Sequence, residues 1–166
     1  MNGYLLDTNV ISRWFSGHAN VLAHIHSLPN DTPLQVSVIA IGEVEFGHQI
    51  TRTTDLDERD RCSRFIANQF PAPLDVTKHV VSHYGDSRAQ LFRDYPPQGK
   101  KQNHPERCHD TVTASDLEID ENDLWMAAQA ITHNLVFVSN DKKILERIRT
   151  ASNRVLDVED WELPLT

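Results

Sequence analysis

Hydrophobic and polar positions alternate along this chain in blocks that switch between two periods. Leu5-Leu6 follows Tyr4 and runs into Asp7, a short buried strand. Val10 to Phe15 and Val21 to Leu28 carry apolar residues at helical spacing, with a break near Gly17. Leu34 to Val38 alternates at period 2 and predicts a second strand. Ile41, Val44 and His48 share one side of a helix that reaches about Ile50. Asp57 to Phe70 is charged on one side and apolar at Phe65, Ile66 and Phe70, which predicts another helix. Pro73 to Val76 reads as a short strand, and Val80, Tyr84 and Leu91 mark the next helix. From Asp94 to about Ser115 the pattern collapses among Pro96-Pro97, Gly99 and Pro105. An irregular stretch this long is usually functional or disordered.

Periodicity returns at Asp123 to His133, an amphipathic helix with Leu124, Ala127, Ala128 and Ile131 inward. Leu135 to Ser139 is apolar almost throughout, as a parallel strand covered on both faces would be. Lys142 to Ile148 predicts a helix, and Val155 to Val158 a last strand. Strands alternate with helices. The expected fold is therefore α/β: a three-layer sandwich around a mostly parallel sheet of about five strands. We expect one domain over residues 1–166, with a long loop or insertion at about 94–116.

Charge and composition narrow the function. The 166 residues include 16 Lys and Arg against 24 Asp and Glu, a formal net charge of -8. That argues against a general nucleic-acid coat. It leaves room for a nuclease whose carboxylates surround bound cations. Two cysteines, Cys62 and Cys108, are too few for a disulfide scaffold and point to a reducing, cytoplasmic setting. The first residues lack the basic flank and apolar core of a signal peptide. No apolar run approaches the ~18 residues of a membrane span.

Four acids share one structural position. Asp7 ends the first strand, and Asp141 lies just beyond Leu135–Ser139. Glu43 is in the first turns of the helix after Leu34–Val38, and Asp123 is in the first turn of the helix after the long loop. In a parallel sheet these places meet at the carboxyl edge, where such folds bind ligands. Carboxylates gathered there repel and raise one another's pKa unless a cation lies between them. All-oxygen ligation suits Mg²⁺ or Mn²⁺. Each acid also has a plain structural reading. Asp7 can cap the helix near Val10, Asp123 can join a helix start after Asp120, Asp141 can cap at Lys142, and Glu43 can be a solvated helix residue.

The motifs carry a resemblance. Leu5-Leu6-Asp7-Thr8-Asn9-Val10-Ile11-Ser12 resembles the opening of PIN-domain proteins, especially VapC-type toxins. Ser37 to Gly47 is similar to their second motif, with Glu43 followed four residues later by Gly47. Ile119 to Ala128 resembles the third motif, Leu135 to Asp141 the fourth, and Val155 to Trp161 the terminal strand and tryptophan. The resemblance implies Mg²⁺- or Mn²⁺-dependent cleavage of RNA by the toxin of a toxin–antitoxin pair. It places Asp7, Glu43, Asp123 and Asp141 on the acidic quartet, with Asp7 and Asp123 as principal metal ligands. Thr8, Asn9 and Ser139 are expected to orient carboxylates or water. It also implies a protein antitoxin and a homodimer. Lys142 and Lys143, beside Asp141, are the basic residues best positioned to contact RNA phosphates.

Competing readings differ in chemistry. An aspartyl-nucleophile phosphatase would use Asp7, but its usual second aspartate falls at Asn9. A non-catalytic binding module would use the acids only as caps. A two-histidine ribonuclease would leave a cyclic 2′,3′-phosphate. His79 and His83, or His104, Cys108 and His109, lack the paired spacing of established zinc sites.

Overall fold

Strand β1, Tyr4–Leu6, occupies the middle of the sheet in the computed structural model, with parallel neighbours on both sides. The structure describes residues 3–50, 56–97, 104–110, 112–113, 115–117, 119–153 and 155–165, and the side chains of 56, 115 and 142–145 lie outside that set. Gly3 admits β1 to the sheet. Its φ is +117°, and a Cβ there would lie 2.3 Å from the Pro33 carbonyl oxygen, so no other residue fits beside that strand without strain.

The elements follow in order: α1 (Thr8–Phe15), α2 (Ala19–Ser27), β2 (Leu34–Val36), α3 (Val38–Ile50), α4 (Leu56–Gln69) and α5 (Val81–Asp94). After them come β3 (His109–Asp110), β4 (Ser115–Asp116), α6 (Glu121–His133), β5 (Val136–Val138), α7 (Lys142–Ala151) and β6 (Val158–Glu159). The main sheet is entirely parallel, in the order β2-β1-β5-β6. β5 is buried at every residue, which explains its unbroken apolar sequence. Asn134 adopts the left-handed conformation at the end of α6 and turns the chain directly into β5.

Three expectations shrink on contact with the structure. Ser37 does not extend β2; it forms a single parallel bridge with Leu74, and α3 begins at Val38. The expected strand at Pro73–Val76 is reduced to that bridge, a fifth position at the sheet edge. The last strand starts at Val158, because Val155 is exposed rather than packed.

The segment from 94 onward departs most from expectation. α5 continues to Asp94, Pro97 bridges Cys108, a 3-10 turn spans Pro105–Arg107, and β3 and β4 pair antiparallel. Pro105, Cys108, Leu117 and Ile119 are buried. Within the described part of this insertion Pro105 and Cys108 are anchored in the interior, while residues such as Val112 stay exposed. Two-residue strands are too short to leave a period in the sequence. Burial pushes the Cys108 thiol up to about 11, so it stays protonated among its apolar neighbours.

One buried cluster draws on residues from Leu5 to Trp161. Trp14 and Phe15 pack on Phe65 of α4, and Trp125 stacks on Tyr84 of α5 at 3.7 Å. These rings are packing residues. Among the described residues, no helix is long and apolar enough to cross a membrane.

Candidate functional site

Asp7 is where β1 turns into α1, and both structural and chemical demands fall on its carboxylate. Oδ1 accepts from the Val10 N–H at 2.8 Å and caps α1. The Asp7 N–H donates to the Val138 carbonyl at 3.0 Å, which ties this turn to the end of β5. Ser139, buried at that end, donates its hydroxyl to the Asp7 carboxylate. The Asp141 N–H in turn reaches Ser139 Oγ at 3.3 Å. Burial and the nearby Glu43 charge still raise Asp7 to about 6, against these hydrogen bonds and one from the Asn9 N–H.

Glu43 projects from the second turn of α3 and is held from two sides. Thr8 of α1 donates its hydroxyl to Oε2, and Asn122 of α6 donates its amide to Oε1 at 2.7 Å. A flexible side chain is thereby fixed between three helices. Asp123 enters through a reciprocal cap at the start of α6. Its N–H donates to Asp120 Oδ1 at 2.9 Å, and the Asp120 N–H donates to Asp123 Oδ2 at 3.1 Å. Burial, and then the charges of Asp120, Glu43 and Asp7, raise the Asp123 pKa well above the carboxylate range.

These groups line one cleft of about 360 Å³, formed by Asp7, Thr8, Asn9, Glu43, Phe46, Asp120, Asp123 and Met126. Three of the four expected acids meet there. Asp141 does not line it; it stands between β5 and α7 and is linked to Asp7 through Ser139. Asn9 lines the cleft with an exposed side chain. Lys142 and Lys143 open α7, but their side chains lie outside the described residues. Arg59, on α4, is paired with Glu45 of α3.

Sequence reasoning missed Asp120 and Asn122 as parts of the cleft's chemistry. Their signal was present: Asp120-x-x-Asp123 is a capping-box spacing, and Asn122 shares the first turn.

The donor set is all oxygen. Among the described residues no three His, Cys, Asp or Glu side chains converge tightly enough to form a metal cluster. Even so, each carboxylate oxygen that accepts one hydrogen bond keeps a second lone pair. Burial first, and then their acidic neighbours, raise Asp7 and Asp123, and a cation between them would offset both effects. A small hard cation suits these residues.

A model of the PIN domain matches residues 4–150. The chain belongs to the PIN domain family. In fold this PIN domain is similar to VapBC2 from Rickettsia felis, solved bound to a DNA fragment from their promoter. Identity there is 19%, covering 95% of this chain and 98% of that one, with a TM-score of 0.68. VapBC-1 from nontypeable Haemophilus influenzae matches at 21% identity, 96% and 98% coverage and a TM-score of 0.68. DNA-bound VapBC from Salmonella typhimurium matches at 20%, 97% and 99%, and 0.68. No curated protein matches the chain in sequence.

Proposed function

We propose that this PIN domain is a Mg²⁺- or Mn²⁺-dependent endoribonuclease, the toxin of a toxin–antitoxin pair. The observation that carries the reading is the convergence of Asp7, Glu43 and Asp123, from three separate segments, on one cleft. The similarity in fold to proteins of toxin–antitoxin complexes supports the pairing with an antitoxin. Asp7 and Asp123 would hold the cation, which when bound would supply Lewis acidity to a water and to the phosphoryl oxygens. Glu43, fixed by Thr8 and Asn122, would orient the attacking water. Ser139, hydrogen-bonded to the Asp7 carboxylate and reached by the Asp141 N–H, would hold that carboxylate's orientation. Hydrolysis by water leaves 5′-phosphate and 3′-hydroxyl ends. An antitoxin arginine entering the cleft would substitute for the cation. A homodimer, as the resemblance implies, completes the proposed assembly.

A second reading has one observation in its favour. The capping bonds of Asp7, Asp120 and Asp123 account for those residues without chemistry, as a non-catalytic module would require. Cleavage of total RNA by purified protein, with Mn²⁺ and with EDTA, separates the two. We expect metal-dependent cleavage with 5′-phosphate ends, reduced about 100-fold or more in Asp7→Asn and Asp123→Asn. Undiminished cleavage in either variant would sink the site assignment. Cyclic phosphate ends would sink the mechanism.

A further inference from the structure

Phe46 is 64% exposed in the middle of α3 and lines the carboxylate cleft. A lone exposed phenylalanine is ordinary on a protein surface. Its position here is specific. Phe46 is three residues beyond Glu43, on the same face of the helix, and Ile50, 62% exposed, continues that face one turn further. The apolar ring therefore stands at the rim of the cleft, on a rigid element, next to a carboxylate that two hydrogen bonds hold still.

The lining of the cleft contains four acids and no described basic side chain. Apart from a bound cation, the described wall offers a phosphodiester acids and no basic group, so a contact to the nucleoside beside the scissile bond would add affinity that the described wall does not otherwise supply. A nucleobase needs a flat apolar face within about one nucleotide of the phosphate, and single-stranded RNA is commonly held by stacking on such rings. We propose that Phe46 is a stacking platform for the base flanking the scissile phosphate. It positions the substrate strand and makes the cleft select unpaired RNA, whose bases are free to stack. The proposal rests on the nuclease reading for its substrate, but its test does not depend on turnover.

The probe is a short single-stranded oligoribonucleotide carrying 2-aminopurine, whose fluorescence is quenched when the base stacks. Wild type, Phe46→Ala, Phe46→Leu and Phe46→Tyr are compared for quenching, and for KM and kcat with Mn²⁺. Phe46→Ala should lose the quenching and weaken binding about 10-fold or more, with kcat changed less than KM. Phe46→Tyr should restore both readouts, whereas Phe46→Leu, apolar but without a ring, should not. Equal quenching in wild type and Phe46→Ala, or rescue by Phe46→Leu, would overturn the proposal. Quenching by wild type without cleavage would remove the nuclease reading and leave the stacking platform standing. Cleavage by wild type with no effect of Phe46→Ala on KM would do the reverse.

Discussion

Asp7 and Asp123 each do two jobs, and the two conflict. In the two caps their carboxylates accept from the Val10 and Asp120 backbone N–H groups and are buried there; as ionised carboxylates they suffer from that burial and from each other. The conflict has a measurable sign. Burial raises the Asp7 pKa to about 6, above the ordinary aspartate value near 3.8 at which the unfolded chain releases its proton. Without a cation, the site's contribution is fully present below about pH 4 and is lost as pH rises toward 6. Asp123 extends the loss to higher pH. Asp110 and Glu45 have lowered pKa values and act with the opposite sign, but below the ordinary carboxylate range. Melting in EDTA should therefore show the wild type less stable at pH 8 than at pH 5. The rise of Asp7 alone corresponds to about 3 kcal/mol over its full range, of which roughly half, about 1.4 kcal/mol, falls between pH 5 and pH 8. Asp7→Asn, which can still accept the Val10 bond, should flatten that dependence and melt higher at pH 8. Mn²⁺ should raise the melting temperature of the wild type far more than that of the variant. A wild type whose stability is level from pH 5 to 8 would show that these carboxylates do not oppose folding.

At the scale of elements, the cleft is a junction where α1 and α6 hold a residue of α3. Removing one hold without touching an acid isolates its role. Asn122→Ala should leave Asp7 and Asp123 in place, free the Glu43 carboxylate at Oε1, and lower kcat about 10-fold with little change in Mn²⁺ affinity. An equal loss of metal affinity would make Glu43 a ligand rather than an orienting group. At α7, Lys142→Ala with Lys143→Ala should weaken RNA binding and reduce its dependence on salt. An unchanged salt slope would remove both from the contact surface. How much of this was legible depends on range. β1, β5 and α6 could be read because short unbroken apolar runs and a helical stripe are local signals. The acids could be placed because strand ends share one edge of a parallel sheet. The hold on Glu43 could not, since Asn122 lies 79 residues away and only folding brings them together. The same edge argument places Asp141 just beyond β5, where its N–H reaches Ser139 Oγ, although it is not among the described residues lining the cleft. The β3–β4 hairpin was invisible for its shortness, although its buried Cys108 and Leu117 now fasten it to the core.

The whole molecule separates what keeps it folded from what lets it act, and β1 carries that division along its length. At its carboxyl end Asp7 faces the cleft. At its other end Tyr4 meets the C-terminal segment, where Trp161 is 1% exposed, packs edge-on against Tyr4 at 5.0 Å, stacks on His24 and donates its indole N–H to Glu159 at 2.7 Å. Asn20 and Arg13 then hold Glu162, so the segment after β6 closes over α1 and α2. Three residues of strand, about 10 Å, separate Tyr4 from Asp7. Trp161→Ala leaves a large cavity and an unpartnered Glu159 carboxylate, and should cost about 3–5 kcal/mol, a fall of roughly 10 °C in melting temperature. Because the cavity opens at the far end of β1, RNA cleavage measured well below that melting temperature should keep the wild-type kcat. Asp7→Asn is expected to do the opposite, losing cleavage while melting higher at pH 8. Thermal melts and single-temperature cleavage assays on the two variants test this directly. If Trp161→Ala lost activity while still folded, the two ends of β1 would be mechanically coupled, and the tail would have to be counted as part of the machinery that shapes the cleft.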